Sequence, residues 1–301
     1  MLRSTGISSR WACCLIASAL WAGTGFATPF FFSTGSPDGK IATASRPSSV
    51  GKIEIETGDD FLLGGGSLTT LNSGTFTGLL PVGTAPGDIS EVRVEIYRVF
   101  PNDSDTNRTI NVPTRNNSPS DVEFLDRDTA SNNLSFTTTD IGAFSAGNSV
   151  VNGINPMPNQ HTGGEGPVSG EEVQFNVTFT TPIVLAPDHY FFVPQVLLTS
   201  GDFLWLSAPK PIVAPGTAFM PDLQSWIRND DLAPDWLRIG SDIIGTPATG
   251  PTFNAAFSLT GSVPEPGSLV LVGAGLVVAW WWWRRSKRGG TPDDPNLKRR
   301  R

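Results

Sequence analysis

The side chains that could do chemistry are few and scattered. His161 and His189 are the only histidines, and both cysteines, Cys13 and Cys14, lie near the amino end. A zinc site would have to combine the two histidines with carboxylates such as Asp188 or Glu165. Their surroundings place His161 in a Gly-rich loop and His189 at a strand start instead. Asp103, Asp105 and Asn107 set oxygen ligands at alternate positions, a spacing calcium loops use. The next positions depart from that pattern: Arg108 stands where glycine is needed and Thr114 where glutamate is needed. A polar loop tip whose Asp and Asn side chains bond their own backbone explains the same residues. There is no G-x-S-x-G elbow to present a serine nucleophile. Glu54 and Glu56 share a strand face by period two. They are the best pair for glycosidic chemistry, which needs two carboxylates ~5–9.5 Å apart. The competing reading is a plain exposed acidic strand face. Trp226 and Trp236 flank Arg228, Asp230, Asp231, Asp235 and Arg238. Exposed and coplanar, those rings would suit a glycan; otherwise they pack in the core. No catalytic residue, metal or cofactor is expected.

The elements that must position these residues read as strands. The chain has 301 residues, with 32 Gly, 25 Pro, 39% hydrophobic and only 16% charged residues. Such a balance excludes a disordered polyelectrolyte, and aperiodic glycines exclude collagen. Period-two alternation is clean at Val92, Val94 and Ile96, with Arg93 and Glu95 on the wet side. It recurs from Val173 to Phe179, against Gln174, Asn176, Thr178 and Thr180, and from Phe253 to Leu259. The runs "HYFFVPQVLL" and "FLWLSA" read as inner strands, with Pro194 making the middle of the first an edge or a bulge. Turn clusters separate the strands, and one short helix is expected near Asp222 to Arg228. The expected fold is all-β: an antiparallel β-sandwich or jelly-roll-like body over 50–262, after a flexible segment at 28–49. Between residues 28 and 263 there are 11 basic and 25 acidic residues, a net charge of −14. That charge argues against nucleic acid as a partner.

The two ends carry targeting information. Arg3 and Arg10 precede the apolar stretch Trp11 to Ala22, and Gly25 and Ala27 supply small residues at a cleavage site. Residues 1–27 therefore read as a signal peptide that signal peptidase cuts after Ala27. Both cysteines leave with it, so the mature chain has no disulfide or thiol chemistry. At the other end, Pro264-Glu265-Pro266 is extended because each proline restricts its predecessor. An uncharged run of 16 residues follows at 268–283, about 24 Å long as a helix and short for a ~30 Å bilayer core. Trp280 to Trp283 suit the interface, and Arg284, Arg285, Lys287 and Arg288 form a cytoplasmic stop. Residues 289–301 make a basic tail on the same side.

The tripeptide, short span and basic stop over 263–288 together resemble the PEP-CTERM sorting signal of exopolysaccharide-producing bacteria. The resemblance implies that Pro264, Glu265 and Pro266 are the recognition residues. It implies Arg284 and Arg285 as the stop, transient membrane insertion, and an exosortase-like enzyme as processing partner. The four consecutive tryptophans and the tail beyond Arg288 depart from the usual pattern. "LPVGT" at Leu80 to Thr84 resembles a sortase motif but lacks its final glycine in register. Glu54 to Asp59 resembles, with its acid types permuted, the acidic strand of jelly-roll glucanases. Segments such as "DHYFFVPQV" resemble those of exported bacterial proteins with no assigned activity. The expectation is an exported protein of the cell envelope or matrix, structural, adhesive or glycan-associated, with extracellular polysaccharide as a partner. A secreted glycan-active hydrolase is the alternative.

Overall fold

The computed structural model describes residues 27–107, 115–154, 161–246 and 248–264, together with Val277, Trp280, Trp281 and Arg284. The chain divides into Pro29–Val263 and a second unit made of Met1–Thr28 with Pro264–Arg301. The first unit is all-β. Its strands are β1 (Thr28–Ser33), β2 (Ala42–Ala44), β3 (Ile55–Leu62), β4 (Thr69–Leu80) and β5 (Ile89–Arg98). Then come β6 (Leu125–Asp128), β7 (Leu134–Ala146), β8 (Ser149–Val150), β9 (Val168–Leu185) and β10 (His189–Leu198). The last are β11 (Leu204–Ala208), β12 (Trp226–Asn229), β13 (Leu237–Arg238), β14 (Asn254–Ala255) and β15 (Phe257–Val263).

These strands form two sheets, antiparallel except where β2 meets β8. The nine-stranded sheet is organised by β4. One edge of β4 pairs with β9, which pairs with β7; its other edge takes β15 and then β11. The six-stranded sheet runs β13-β12-β3-β10-β5-β6.

The alternating residues bury as period two requires. Val92, Val94 and Ile96 are each 0% exposed, and Val173, Phe175, Val177 and Phe179 are at most 6%. Both sheets fill one core with them. Phe192 of β10 stacks on Phe257 of β15 at 5.0 Å, and Phe76 of β4 on Phe175 of β9 at 4.9 Å. Offset aromatic pairs of this kind add to the area they remove from water.

Four expectations change. First, the far side of β5 is not wet: Glu95 and Tyr97 are buried. A second apolar cluster of Tyr97, Phe191, Val193, Leu223, Trp226 and Trp236 covers that side of the six-stranded sheet. Second, β10 is central, not an edge. Val196 N–H donates to Ser45 O on the β3 side, so the missing N–H of Pro194, two residues earlier, falls on that same side. Pairing with β3 ends at Phe192, and the Ser45 hydroxyl bonds the Pro194 carbonyl at 2.5 Å; the β5 side stays paired throughout. Third, the expected helix near Asp222–Arg228 is absent, and β12 stands there, paired to β3. Ser225 and Arg228 are each needed by a β3 carboxylate, and tertiary partners override weak local preference. Fourth, residues 28–49 are structured: they supply β1 and β2 and bury Phe32, Ile41, Ala42 and Ala44.

Candidate functional site

The Glu54–Glu56 strand, read as an exposed acidic face or a hydrolase site, is not an exposed face: Glu54 is half-buried and Glu56 buried. Glu56 is 4% exposed and lies opposite Arg228 in the β3–β12 register. Arg228 Nε donates to Glu56 Oε2, and Nη2 donates to Glu56 Oε1 at 2.9 Å and to the Tyr97 hydroxyl at 2.8 Å. Nη1 donates to the carbonyls of Asp121 and Pro234, each at 3.2 Å. All five guanidinium donors are thus consumed inside the fold. The same guanidinium lies 4.4 Å over the Trp236 ring and 5.1 Å over Tyr97. Burial pulls Arg228 down, but the Glu56 carboxylate more than offsets it, so its affinity for the proton rises.

Tyr97 donates to Glu56 Oε1 at 2.6 Å, and Glu95 Oε2 lies 3.2 Å from the same hydroxyl. Burial, then the charge of Glu56, push the Glu95 carboxyl well above its ordinary range. A protonated Glu95 can donate to the phenol oxygen while the phenol donates to Glu56, which satisfies all three groups. Glu54 is also pushed up by burial, and accepts from Gln195 at 2.9 Å. These carboxylates close a polar knot rather than face one another across a cleft.

Two further acids sit side by side on β3 and face opposite ways. Asp59 accepts from Ala255 N–H at 2.8 Å and the Ser225 hydroxyl at 3.1 Å. Asp60 accepts from Leu223 N–H at 3.1 Å and lies 2.5 Å from His189 Nε2. Burial raises both carboxyls; the charge of Asp60 adds to the effect on Asp59, and the bond to His189 opposes it on Asp60. His161 bonds Asp242 O at 3.1 Å instead, so each histidine serves a different part of the fold.

Trp226 and Trp236 are 1% and 2% exposed, which corrects the reading of these two rings as a glycan platform. Their indoles are needed to cover the far side of the six-stranded sheet, and Trp236 Nε1 donates to Ser120 O at 3.1 Å. At the calcium candidate, Asp105 turns its carboxylate to Asn107 N–H at 2.9 Å, as a loop tip does. Asp103 adopts φ 56° and lies 3.8 Å from Arg98. Among the described residues no three His, Cys, Asp or Glu side chains group to hold a metal ion.

Two of the open grooves bear on residues with polar side chains. One, about 310 Å³, is lined by Lys210, Asp222, Gln224, Trp226 and Arg238. Its charges are already paired: Lys210 with Asp222 at 2.8 Å and Arg238 with Asp242 at 2.6 Å. The other, about 370 Å³, lies on the far side of the nine-stranded sheet, on Thr75, Thr77, Gln174 and Ser258. Sequence reading placed Gln174 on a wet strand face but did not join it to the other strands. The Ser/Thr alternation of Ser135, Thr137 and Thr139 was the missed signal.

The carboxy end is the site that the sequence defines best. β15 closes at Val263, and Pro264 follows immediately and is exposed. Glu265, Pro266, Arg285, Lys287, Arg288 and most of the 268–283 span lie outside the described residues. Trp280, Trp281 and Arg284 are helical and exposed, with the Arg284 guanidinium 4.1 Å over the Trp280 ring. Among the described residues no helix is long and apolar enough to cross a membrane. At the amino end, Ala27 is exposed beside β1, and 1–26 lie outside the described residues. A Pro-Glu-Pro tripeptide that follows the last strand in the chain, before an uncharged run and a basic cluster, defines a class: proteins exported and then sorted by their carboxy terminus. A family model for the PEP-CTERM protein-sorting motif matches residues 262–286. The chain thus carries a PEP-CTERM sorting motif, which marks an exported, exosortase-targeted protein of the cell envelope. No curated protein and no solved structure matches it.

Proposed function

We propose that the protein is a non-enzymatic structural or adhesive component of the cell surface or extracellular matrix. The observation that carries this is the sorting motif placed directly after the final strand. Signal peptidase would release the chain after Ala27. The 268–283 span would insert transiently, halted by Arg284, Arg285, Lys287 and Arg288. The exosortase-like enzyme would then cut near Pro264-Glu265-Pro266. A core filled from both sheets fits a β-sandwich or jelly-roll-like body. The consumed donors of Arg228 and the buried Glu56 support a scaffold rather than a hydrolase.

The test is intact mass of the protein recovered from the cell surface. The expected product starts at Thr28 and ends near Pro264, and Glu265→Ala or loss of the exosortase traps a membrane-bound form carrying the span. Surface protein that still carries Trp280 to Arg288 in cells with a working exosortase would overturn this reading in favour of a simple tail anchor.

A further inference from the structure

The far side of the nine-stranded sheet has a chemistry unlike the rest of the body. Strand registers place Thr260, Ser73, Thr178 and Ser135 in one row across β15, β4, β9 and β7. Ser258, Thr75, Asn176 and Thr137 form the next row. Thr77, Gln174 and Thr139 form a third. None of these side chains is ionisable, in a body with 25 acids and 11 bases. Their alternate neighbours, Phe76, Phe175, Val177, Phe257 and Leu259, are locked in the core, so the rows cannot slip to the other face. Strands lie ~4.8 Å apart and alternate residues ~6.7 Å apart, which makes a regular lattice of hydroxyls and amides.

The groove of about 370 Å³ lies at one end of this lattice, between it and residues 31–37. Thr75, Thr77, Gln174 and Ser258 form its floor, and the Thr75 and Ser258 hydroxyls orient each other at 2.7 Å. Phe31 of β1 and Ile141 of β7 line it as well, 58% and 54% exposed. Its one ionisable lining residue is Glu172, whose carboxyl burial pushes towards the neutral form.

We propose that this groove binds a short stretch of an uncharged polysaccharide. A sugar ring has an apolar C–H face and a rim of hydroxyls. Phe31 and Ile141 offer apolar surface for the first, and the Ser, Thr and Gln side chains offer paired donors and acceptors for the second. The lining holds no Lys or Arg for an anionic polymer. A cationic one would find the acidic remainder of the body more attractive than this neutral face. The groove lies at the small end of the ~300–1,000 Å³ typical of ligand sites, so it holds few sugar rings. This deepens the surface-component reading and rests on it.

The experiment uses the processed protein purified from the producing cell. Calorimetric titration with neutral gluco-, manno- and galacto-hexasaccharides is compared with titration by an oligogalacturonate. Saturable binding of a neutral hexasaccharide is expected, with none of the oligogalacturonate. Phe31→Ala and Gln174→Ala should each weaken binding by about tenfold, equivalent to ~1.4 kcal/mol, without changing the melting temperature. Three results overturn the proposal: no neutral hexasaccharide binds at millimolar concentration, the anion binds as well, or both variants bind like wild type. If binding fails while both termini are processed and the protein stays on the surface, only the groove is refuted. If the span is never removed, the placement is refuted as well.

Discussion

The two sheets turn opposite chemistries away from their shared core. The far side of the six-stranded sheet carries Glu56, Asp60, Glu95 and Arg228, and all are under 10% exposed. On the far side of the nine-stranded sheet lie Thr137, Thr139, Thr178 and Thr260, which are neutral and open to solvent. The charged face is closed and the uncharged face is open, the reverse of what polarity alone suggests. The difference is one of completion. Glu56 and Asp60 of β3 find partners on β5, β10 or β12, and the apolar cluster of Tyr97, Trp226 and Trp236 lies on the same side. Hydroxyls cost little in water and need no such closure, so a face of Ser and Thr can stay bare.

Removing the keystone of the closed face is the strongest way to break this contrast. Arg228→Ala would leave Glu56 buried without its cation and strip the ring contact from Trp236. Losing one partner of a buried pair costs about 3–5 kcal/mol. The melting temperature should fall by about 2–4 °C for each kcal/mol lost. A double variant, Glu56→Gln with Arg228→Met, should recover part of that loss, because no uncompensated charge remains. A drop below 1 °C for the single variant would mean that water reaches the knot and that the face is not closed.

The next effect is smaller and depends on pH. Burial, then the charge of Glu56, raise the Glu95 carboxyl in the folded protein, and burial raises Asp59 and Asp60 too. The folded state therefore holds protons that the unfolded chain has released above pH ~4. Stability from these groups is full below that pH and is lost as pH rises towards the folded-state value. Acidification from neutral towards pH ~5 should raise the stability by up to ~1.4 kcal/mol per pH unit for each such group, read as a higher melting temperature. Glu95→Gln imitates the protonated carboxyl, so it should stabilise at neutral pH and flatten the slope. A slope in Glu95→Gln as steep as in wild type would remove Glu95 from this account.

Much of the scaffold was legible because period two reports which side of a strand meets a core. Val92, Val94 and Ile96, and Val173 to Phe179, bury as that rule requires. The rule says less about the opposite side. Arg93 and Glu95 alternate like a wet face, yet Glu95 is buried under residues from the 220s and 230s. Only long-range partners decide that, and no local pattern encodes them. Trp226 and Trp236 were ambiguous for the same reason: the polar residues around them suit either a platform or a sealed knot. The sorting signal was readable because its parts are contiguous. Pro264, Glu265, Pro266 and the basic cluster act through order along the chain, whereas the hydroxyl lattice needs four strands brought together.

The smallest expected effect tests whether the open face is truly spare. Thr137 and Thr178 are exposed and stand in adjacent rows of β7 and β9. Valine has the same shape as threonine, lacks the hydroxyl, and suits a strand equally well. If these hydroxyls support only solvent or ligand contacts, Thr137→Val and Thr178→Val should each alter stability by no more than ~0.5 kcal/mol, the usual range for surface changes. Chemical denaturation would show this as an unmoved midpoint with an unmoved slope. A loss above ~1 kcal/mol would mean that the hydroxyls hold the sheet together. The open face would then belong to the scaffold, as the closed one does, and the contrast between the two sheets would fall.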